Sequence, residues 1–395
     1  MASTTMVALC LALIATTIGQ TVLFVMVPVI GEITKIGLGG ISLAITAGIF
    51  AFTIAAPMWG RISDSIGRRK VMLFGCAGVV LGHGGVALTV EMAARDLAEP
   101  DLSLVFLTAF RLVHGVSAAA LMPIAQAWVA DIHDESAHLS KFGVLRLSMT
   151  AGRLAGPPLA AVLMLLAPLT PIYFLCVFAL AAFFLVSMCS DPEKRRTAEQ
   201  SSSGSSTTVA VPLLLAVVVL LSLMVGQLQF TMGPHVQVRL GLDAVHASQF
   251  VGLLLTAAAL AALAVQVFVV KHLRDCALGT LVASSMIASG AVVLVFWGEA
   301  RLLFVLGAIF AGTAMAAALP ACAALISVSA ARDRLGRVMG AFGSAQTIGY
   351  AIGAALGGLY DIAPMVSFGF SFCAPFMALL VTCIFATTKN PLCKI

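Results

Sequence analysis

Long apolar runs, separated by short polar stretches, recur from one end of this chain to the other. A window of about 20 residues, the length that crosses a bilayer as a helix, picks out twelve of them. They fall near 4–27, 39–60, 71–90, 103–129, 140–165 and 170–189, then near 209–231, 246–270, 277–297, 302–326, 338–359 and 365–386. The pattern predicts an all-α polytopic membrane protein of twelve transmembrane helices. No Lys or Arg precedes the first run and no clear cleavage site follows it, so it is expected to be a retained span rather than a signal peptide.

One run breaks the apolar pattern. The stretch FGVLRLSMTAGRLAGPPLAAVL, 142–163, carries Arg146 and Arg153. An arginine at the centre of a membrane helix costs about 2.5–3.5 kcal/mol on insertion scales. Seven residues of α-helix turn 700°, so the two side chains lie within about 20° of each other, on a face shared with Thr150 and Pro157. Gly152, Gly156 and Ala160 form a separate stripe, which starts about 100° from Arg153 at Gly152 and drifts to about 20° from it at Ala160. A helix that packs through that small-residue stripe leaves its arginines to a wet cavity, where they are cheaper than in lipid. Pro157 and Pro158 cannot donate to the carbonyls of residues 153 and 154, which predicts a kink.

Composition agrees with the pattern and narrows the class. Of 395 residues 61% are hydrophobic and 10% charged, where soluble domains run at about 45–50% and about 25%; the mean hydropathy is +1.09. Loops after the even-numbered spans and the C-terminal tail hold fifteen Lys and Arg, against four on the opposite side. That bias places both termini in the cytoplasm, and it accounts for the net charge of +5 without nucleic acid as a partner. The nine cysteines show no metal-ligand spacing and are expected as packing residues. Neither a metal nor a cofactor is called for.

The chain also divides and repeats. DPEKRRTAEQSSSGSSTT, 191–208, is charged and then Ser/Gly-rich, as a flexible linker is. The expected domains are thus a six-helix bundle over 1–190, a linker over 191–208 and a second bundle over 209–395. Gly143, Gly152, Gly156, Ala160 and Ala161 of span 5 recur 197 residues later as Gly340, Gly349, Gly353, Gly357 and Gly358 of span 11. Two pseudo-symmetric bundles around a midplane site describe one architecture of secondary transporters. The same offset puts Gly343 and Tyr350 where Arg146 and Arg153 stand, so the helical scaffold as such does not need the cations.

Between spans 2 and 3 lies GRISDSIGRRK, 60–70. Gly60 and Gly67 permit a tight turn, Asp64 supplies an anion, and Arg61, Arg68, Arg69 and Lys70 supply cations. This spacing in this loop resembles the signature of the major facilitator superfamily. LTAFRLVHGVSAA, 107–119, resembles the span-4 motif of its proton-coupled exporters, with Arg111 and Gly115 in place, His114 where glutamine is usual and Ser117 in place of a glycine. Asp131 ends span 4 as in the family, while His138 occupies a usual arginine position. GRLAGPPLAA, 152–161, resembles the antiporter motif of span 5, with Ala160 and Ala161 replacing its last two glycines.

The resemblance implies the major facilitator fold and alternating access by two rocking bundles. It implies that the 60–70 loop latches the cytoplasmic side, with Asp64 and Arg68 contacting charges and helix ends across the bundle interface. It also implies close packing of span 5, through the antiporter motif, on a helix of the other half. Arg111 belongs by resemblance to proton coupling or to bonding within the first bundle, through Asp64, Asp131 or a backbone carbonyl. His83 and His114 are candidate proton carriers, or else hydrogen-bond a neighbouring helix. Gln227 and Gln229, continuing to His235, either line the cavity or bond between helices.

All seventeen acids map to loops or helix ends. Cations at membrane depth without carboxylates favour an anionic substrate gripped bidentately, with Arg153, Arg146, Thr150, Gln227 and Gln229 as its contacts. The expected function is therefore proton-coupled export of a small carboxylate-bearing metabolite, such as a siderophore, by a protein functional as a monomer in the cell membrane. Broad-specificity drug efflux and organic-anion uptake by symport are the alternatives. An intramembrane enzyme is disfavoured, since neither H-E-x-x-H nor G-x-S-x-G occurs; a transport-dead receptor on the same fold is a further rival.

Overall fold

The computed structural model describes residues 2–191, 210–269, 277–329 and 335–387. Of the expected linker, only Asp191 falls among them. Among the described residues there are helices and no strands. They are α1 (Ala2–Val25), α2 (Val27–Thr34), α3 (Leu38–Ile66), α4 (Arg68–Ala94), α5 (Pro100–Ile132), α6 (Glu135–Leu163) and α7 (Thr170–Ser187), followed by α8 (Ala210–Leu240), α9 (Ala244–Ala264), α10 (Ala277–Trp297), α11 (Arg301–Ser329), α12 (Leu335–Gly357) and α13 (Pro364–Thr387). One π-helical turn, Val265–Val269, extends α9, and a 3-10 turn, Gly358–Asp361, follows α12.

Each predicted span is occupied by a helix, the first by α1 with the short α2. Ten are long and apolar enough to cross a membrane on length and composition. The other two are α6 and α12, the glycine-rich pair that the repeat had linked. Boundaries follow local chemistry. Proline opens α2, α5 and α7, where its missing N–H costs nothing. Gly67, at φ +102°, makes the turn between α3 and α4. Asp243 caps α9, accepting from the His246 backbone N–H at 2.9 Å; that bond, and then the His246 ring, hold its carboxyl below the usual range.

The chain forms two compact units. The first contains α1–α7 together with the start of α9, through Leu253; the second contains α8, the remainder of α9 and α10–α13. In the first unit α3 and α4 pack on α5, α6 and α7 on α1, and α7 also on α4. Its apolar core gathers Leu9, Leu13, Met72, Leu121, Ile124, Trp128 and Leu145. In the second, α12 and α13 pack on α8, and α10 packs on α11 and α13, around Leu214, Val218, Leu221, Leu281, Cys322 and Ile326.

The glycine repeat is a packing device in both units. A Cβ on Gly152 would lie 2.9 Å from the Ile14 carbonyl oxygen of α1, and one on Gly156 would lie 3.2 Å from that of Ile18. Their counterparts Gly349 and Gly353 of α12 meet the carbonyls of Val219 and Leu223 in α8. The first-helix partners are themselves 205 residues apart, so the same pair of helices meets at the same register twice. Thr17 and Thr21 turn their hydroxyls onto their own helix, to Leu13 O at 3.0 Å and Thr17 O at 3.2 Å, and so stay within the narrow gap. The Gly152 and Gly156 end of the span-5 motif therefore packs on the first helix of its own unit, while its Pro157 and Ala161 end meets α9, a helix of the second half, as the motif resemblance implies. On the neighbouring edge, Pro157 and Ala161 face Gly252 of α9, whose Cβ would lie 2.8 Å from the Pro157 oxygen.

Candidate functional site

A face of α6 set about 60–100° from its packing glycines carries the expected cations. Arg146, Thr150 and Arg153 are all exposed, while Leu145, Ser148, Gly152 and Gly156 are buried. The Thr150 hydroxyl donates to the Arg146 carbonyl at 3.1 Å, one turn back on the same helix. Exposure of three polar side chains along one stripe is the arrangement that the 3.6-residue period demanded.

Span 7 turns out differently. The Gln227 side chain is fully buried, and its amide donates to the Ser367 hydroxyl at 2.9 Å and to the Ser367 carbonyl. A side chain in that position joins α8 to α13 and does not line a cavity, which corrects the expectation for Gln227. Gln229 is half-buried and accepts from the Tyr350 hydroxyl. Tyr350 thus stands at the repeat position of Arg153 and spends its polar end on α8. His235 is buried as well: one ring nitrogen lies 2.9 Å from the Tyr360 hydroxyl, the other 3.1 Å from Val295 O and 3.2 Å from Phe296 O. Two carbonyls require the N–H at Nε2, so Nδ1 accepts from tyrosine. His235 is a bond between helices.

The 60–70 loop is ordered by ionic contacts within the first unit. Arg68 reaches Asp64 at 2.6 Å, Asp131 at 3.0 Å and the Ser63 hydroxyl at 2.6 Å. Arg69 donates to the carbonyls of Cys189 at 2.7 Å and Ser187 at 2.6 Å, and its backbone N–H to Asp191 at 3.1 Å. Gly67 is tied to the same carboxylate, since a Cβ there would lie 2.8 Å from an Asp191 oxygen. The motif thereby fastens the ends of α3, α5 and α7 together. Residues 270–276 and 330–334 of the second half lie outside the described residues, and so does any pairing of Arg68 with them. Lys70 is exposed and Gly60 has open space around it. Asp131 is 9% exposed at its side chain and Asp64 64%, so the two pairs should differ in worth. Asp131→Ala removes the buried acid and leaves Arg68 with Asp64 and Ser63, and is expected to cost about 1–3 kcal/mol; Asp64→Ala should cost under about 1 kcal/mol. Thermal unfolding midpoints of the purified variants check the order.

Because Asp64 and Asp131 are taken by Arg68, neither is the Arg111 partner that was expected. Arg111 is buried on α5, and its Nε and Nη1 find no hydrogen bond among the described residues. Beside it lie His83 on α4 and His114 on α5, both buried, with ring centroids 4.8 Å apart. A ladder of glycines brings these helices together. Gly75, Gly78, Gly82 and Gly85 of α4 face Leu121, Ser117, His114 and Phe110 of α5 in antiparallel order. That G-x-x-G-x-x-x-G-x-x-G spacing was a readable signal that the sequence analysis missed. It also passed over two more pairs at the 197 offset, Gly115 with Gly312 and Pro123 with Pro320.

A bundle of apolar helices with a polar stripe on one of them, repeated with its packing register intact, is the build of a multi-pass membrane transporter. Residues 9–354 match the family model of the Major Facilitator Superfamily, and the chain belongs to that superfamily. Among curated relatives, a 115-residue stretch is 30% identical to the multi-drug resistance efflux pump PmrA of Streptococcus pneumoniae, covering 29% of this chain and only 26% of that protein. Among solved structures, the D-xylose–proton symporter superposes with a TM-score of 0.75 at 11% identity, over 98% of both chains. The human organic anion transporter MFSD10 does so with a TM-score of 0.65 at 18% identity, over 97% of this chain and 99% of its own. At those identities the two structures establish the fold alone.

Proposed function

We propose that this transporter exports a small anionic, carboxylate-bearing metabolite, of which siderophores are one kind, in exchange for protons and by alternating access. The carrying observation is the exposed stripe of Arg146, Thr150 and Arg153 on α6. A stripe with two guanidinium groups within about 20° of each other suits bidentate capture of a carboxylate. Supporting it, the ion pairs of Asp64, Glu91, Asp96, Asp131 and Asp243 are all made with helix-end partners. The similarity to an efflux pump favours the outward direction, and the fifteen-to-four bias of Lys and Arg favours cytoplasmic termini. The protein works as a monomer in the cell membrane. Gln229 remains a candidate contact, and Arg111, His83 and His114 are candidates for the proton path.

A screen of carboxylates by thermal shift on the purified protein, followed by counterflow in proteoliposomes, tests the reading. One anion class should raise the unfolding midpoint of the wild type. Arg153→Ala should weaken that ligand about 10- to 100-fold, the worth of a charged hydrogen-bonding contact. Transport of a permanent organic cation, unchanged by Arg153→Ala, would overturn the anion assignment. It would support broad-specificity drug efflux, the second reading, which the relative from S. pneumoniae favours.

A further inference from the structure

The first unit keeps a positive charge in its interior with no negative charge beside it among the described residues. We infer that Arg111, His83 and His114 form a binding site for one small monovalent inorganic anion of the halide class. Three observations carry this. Arg111, His83 and His114 are 6%, 1% and 4% exposed, so bulk water does not solvate them. Arg111 Nε and Nη1, both ring nitrogens of His83 and Nδ1 of His114 make no hydrogen bond among the described residues. His114 also stands one turn beyond Arg111 on α5, and its ring centroid lies 4.8 Å from that of His83.

The balance of donors and acceptors selects the ligand. Arg111 brings three unbonded N–H groups at Nε and Nη1 and no acceptor, while a neutral imidazole brings one N–H and one lone pair. The cluster is therefore rich in donors and carries a net positive charge. Buried polar groups left unmade are costly and call for a partner, and a buried ion without a counter-ion is costlier still. Water satisfies individual N–H groups but leaves the charge; a halide accepts from several donors at once and cancels it.

No carboxylate of the surrounding helices does that work. Helix α1 carries none. On α3, α4 and α5, Asp64 and Asp131 are paired with Arg68 and Glu91 with Arg95, and Asp101 is exposed in the first turn of α5. The backbone is shaped to admit the rings. The His83 ring fills the place that a side chain at Gly19 of α1 would take, and the base of His114 fills that at Gly82. This site is separate from the exposed stripe on α6, and its anion is a resident group of the first unit rather than the exported substrate.

The test compares unfolding of the full chain in sodium chloride, sodium bromide and sodium gluconate at constant ionic strength. The wild-type midpoint should rise with halide and saturate, as binding to the folded state alone requires, and should not rise with gluconate. Arg111→Gln should abolish the halide response, and His114→Gln should weaken the apparent affinity about tenfold or more. Equal midpoints in all three salts would overturn the inference and leave the cluster with water only. An undiminished halide response in Arg111→Gln would overturn it by placing the anion elsewhere. Should Arg111→Gln fail to fold, bromide-grown crystals of the wild type decide. An anomalous peak against the Arg111 guanidinium supports the site, and its absence refutes it.

Discussion

Gly115→Ala is expected to destabilise the first unit by about 1–3 kcal/mol, and Gly115→Val by more. The reason is backbone meeting backbone. A Cβ at Gly115 of α5 would collide with the Gly48 carbonyl oxygen of α3 and lie 2.9 Å from its carbon, while a Cβ at Gly48 would lie 2.8 Å from the Arg111 oxygen. Neither partner is a side chain that could swing aside. The repeat supplies a second copy of the experiment. Gly312 of α11 faces the Ala258 carbonyl of α9, with a hypothetical Cβ 2.8 Å from the carbonyl carbon, so Gly312→Ala should carry a similar penalty. Gly143 and Gly340 have nothing within 4 Å, and their alanine variants should shift stability by less than about 0.5 kcal/mol. Unfolding midpoints and the monodisperse fraction in detergent measure all four; a wild-type midpoint for Gly115→Ala would refute the close approach of α3 and α5.

Such contacts explain which parts of the molecule could be read from sequence. Spans are legible because a bilayer imposes a length and an apolar composition on every crossing helix, and the twelve predicted runs meet the described helix ends within a few residues, apart from the extended ends of α3, α6 and α8. The repeat was legible through glycine, since a close helix contact tolerates little else. Partners were not legible. Gly152 and Gly156 announce that something packs tightly against α6, yet nothing in span 5 says whether that is α1 or a helix of the other half. Polar side chains share the difficulty. Arg68 and Arg111 are both arginines of the first bundle with Asp64 and Asp131 as possible partners, and only the fold assigns both acids to Arg68. Gln227 and Gln229 are two residues apart, about 200° around α8, so one face could not have held both. The exposed stripe on α6 was legible for the opposite reason: its periodicity is internal to a single helix.

His235 offers the sharpest separation between a residue that holds the protein together and one that touches cargo. Its Nε2–H caps the last turn of α10 at the Val295 and Phe296 carbonyls, which have no partner further along the helix. Arg239 adds a bond to Phe296 O at 3.3 Å and lies over the Phe296 ring at 5.8 Å. Around the imidazole stand Phe296, Phe304, Tyr360 and Phe368, with centroids 4.6–5.8 Å away. The ring thus joins α8, α10, α11, α13 and the turn after α12. His235→Leu keeps much of the apolar contact but strands the Tyr360 hydroxyl and the Val295 carbonyl and leaves Phe296 O to Arg239 alone, and should cost about 2–4 kcal/mol. His235→Gln, which can still donate and accept, should recover part of that loss. In both variants the affinity for whichever anion stabilises the wild type should stay within about threefold, under 1 kcal/mol. The opposite result, a wild-type midpoint with substrate binding lost, would move His235 from the scaffold of the second unit to the substrate.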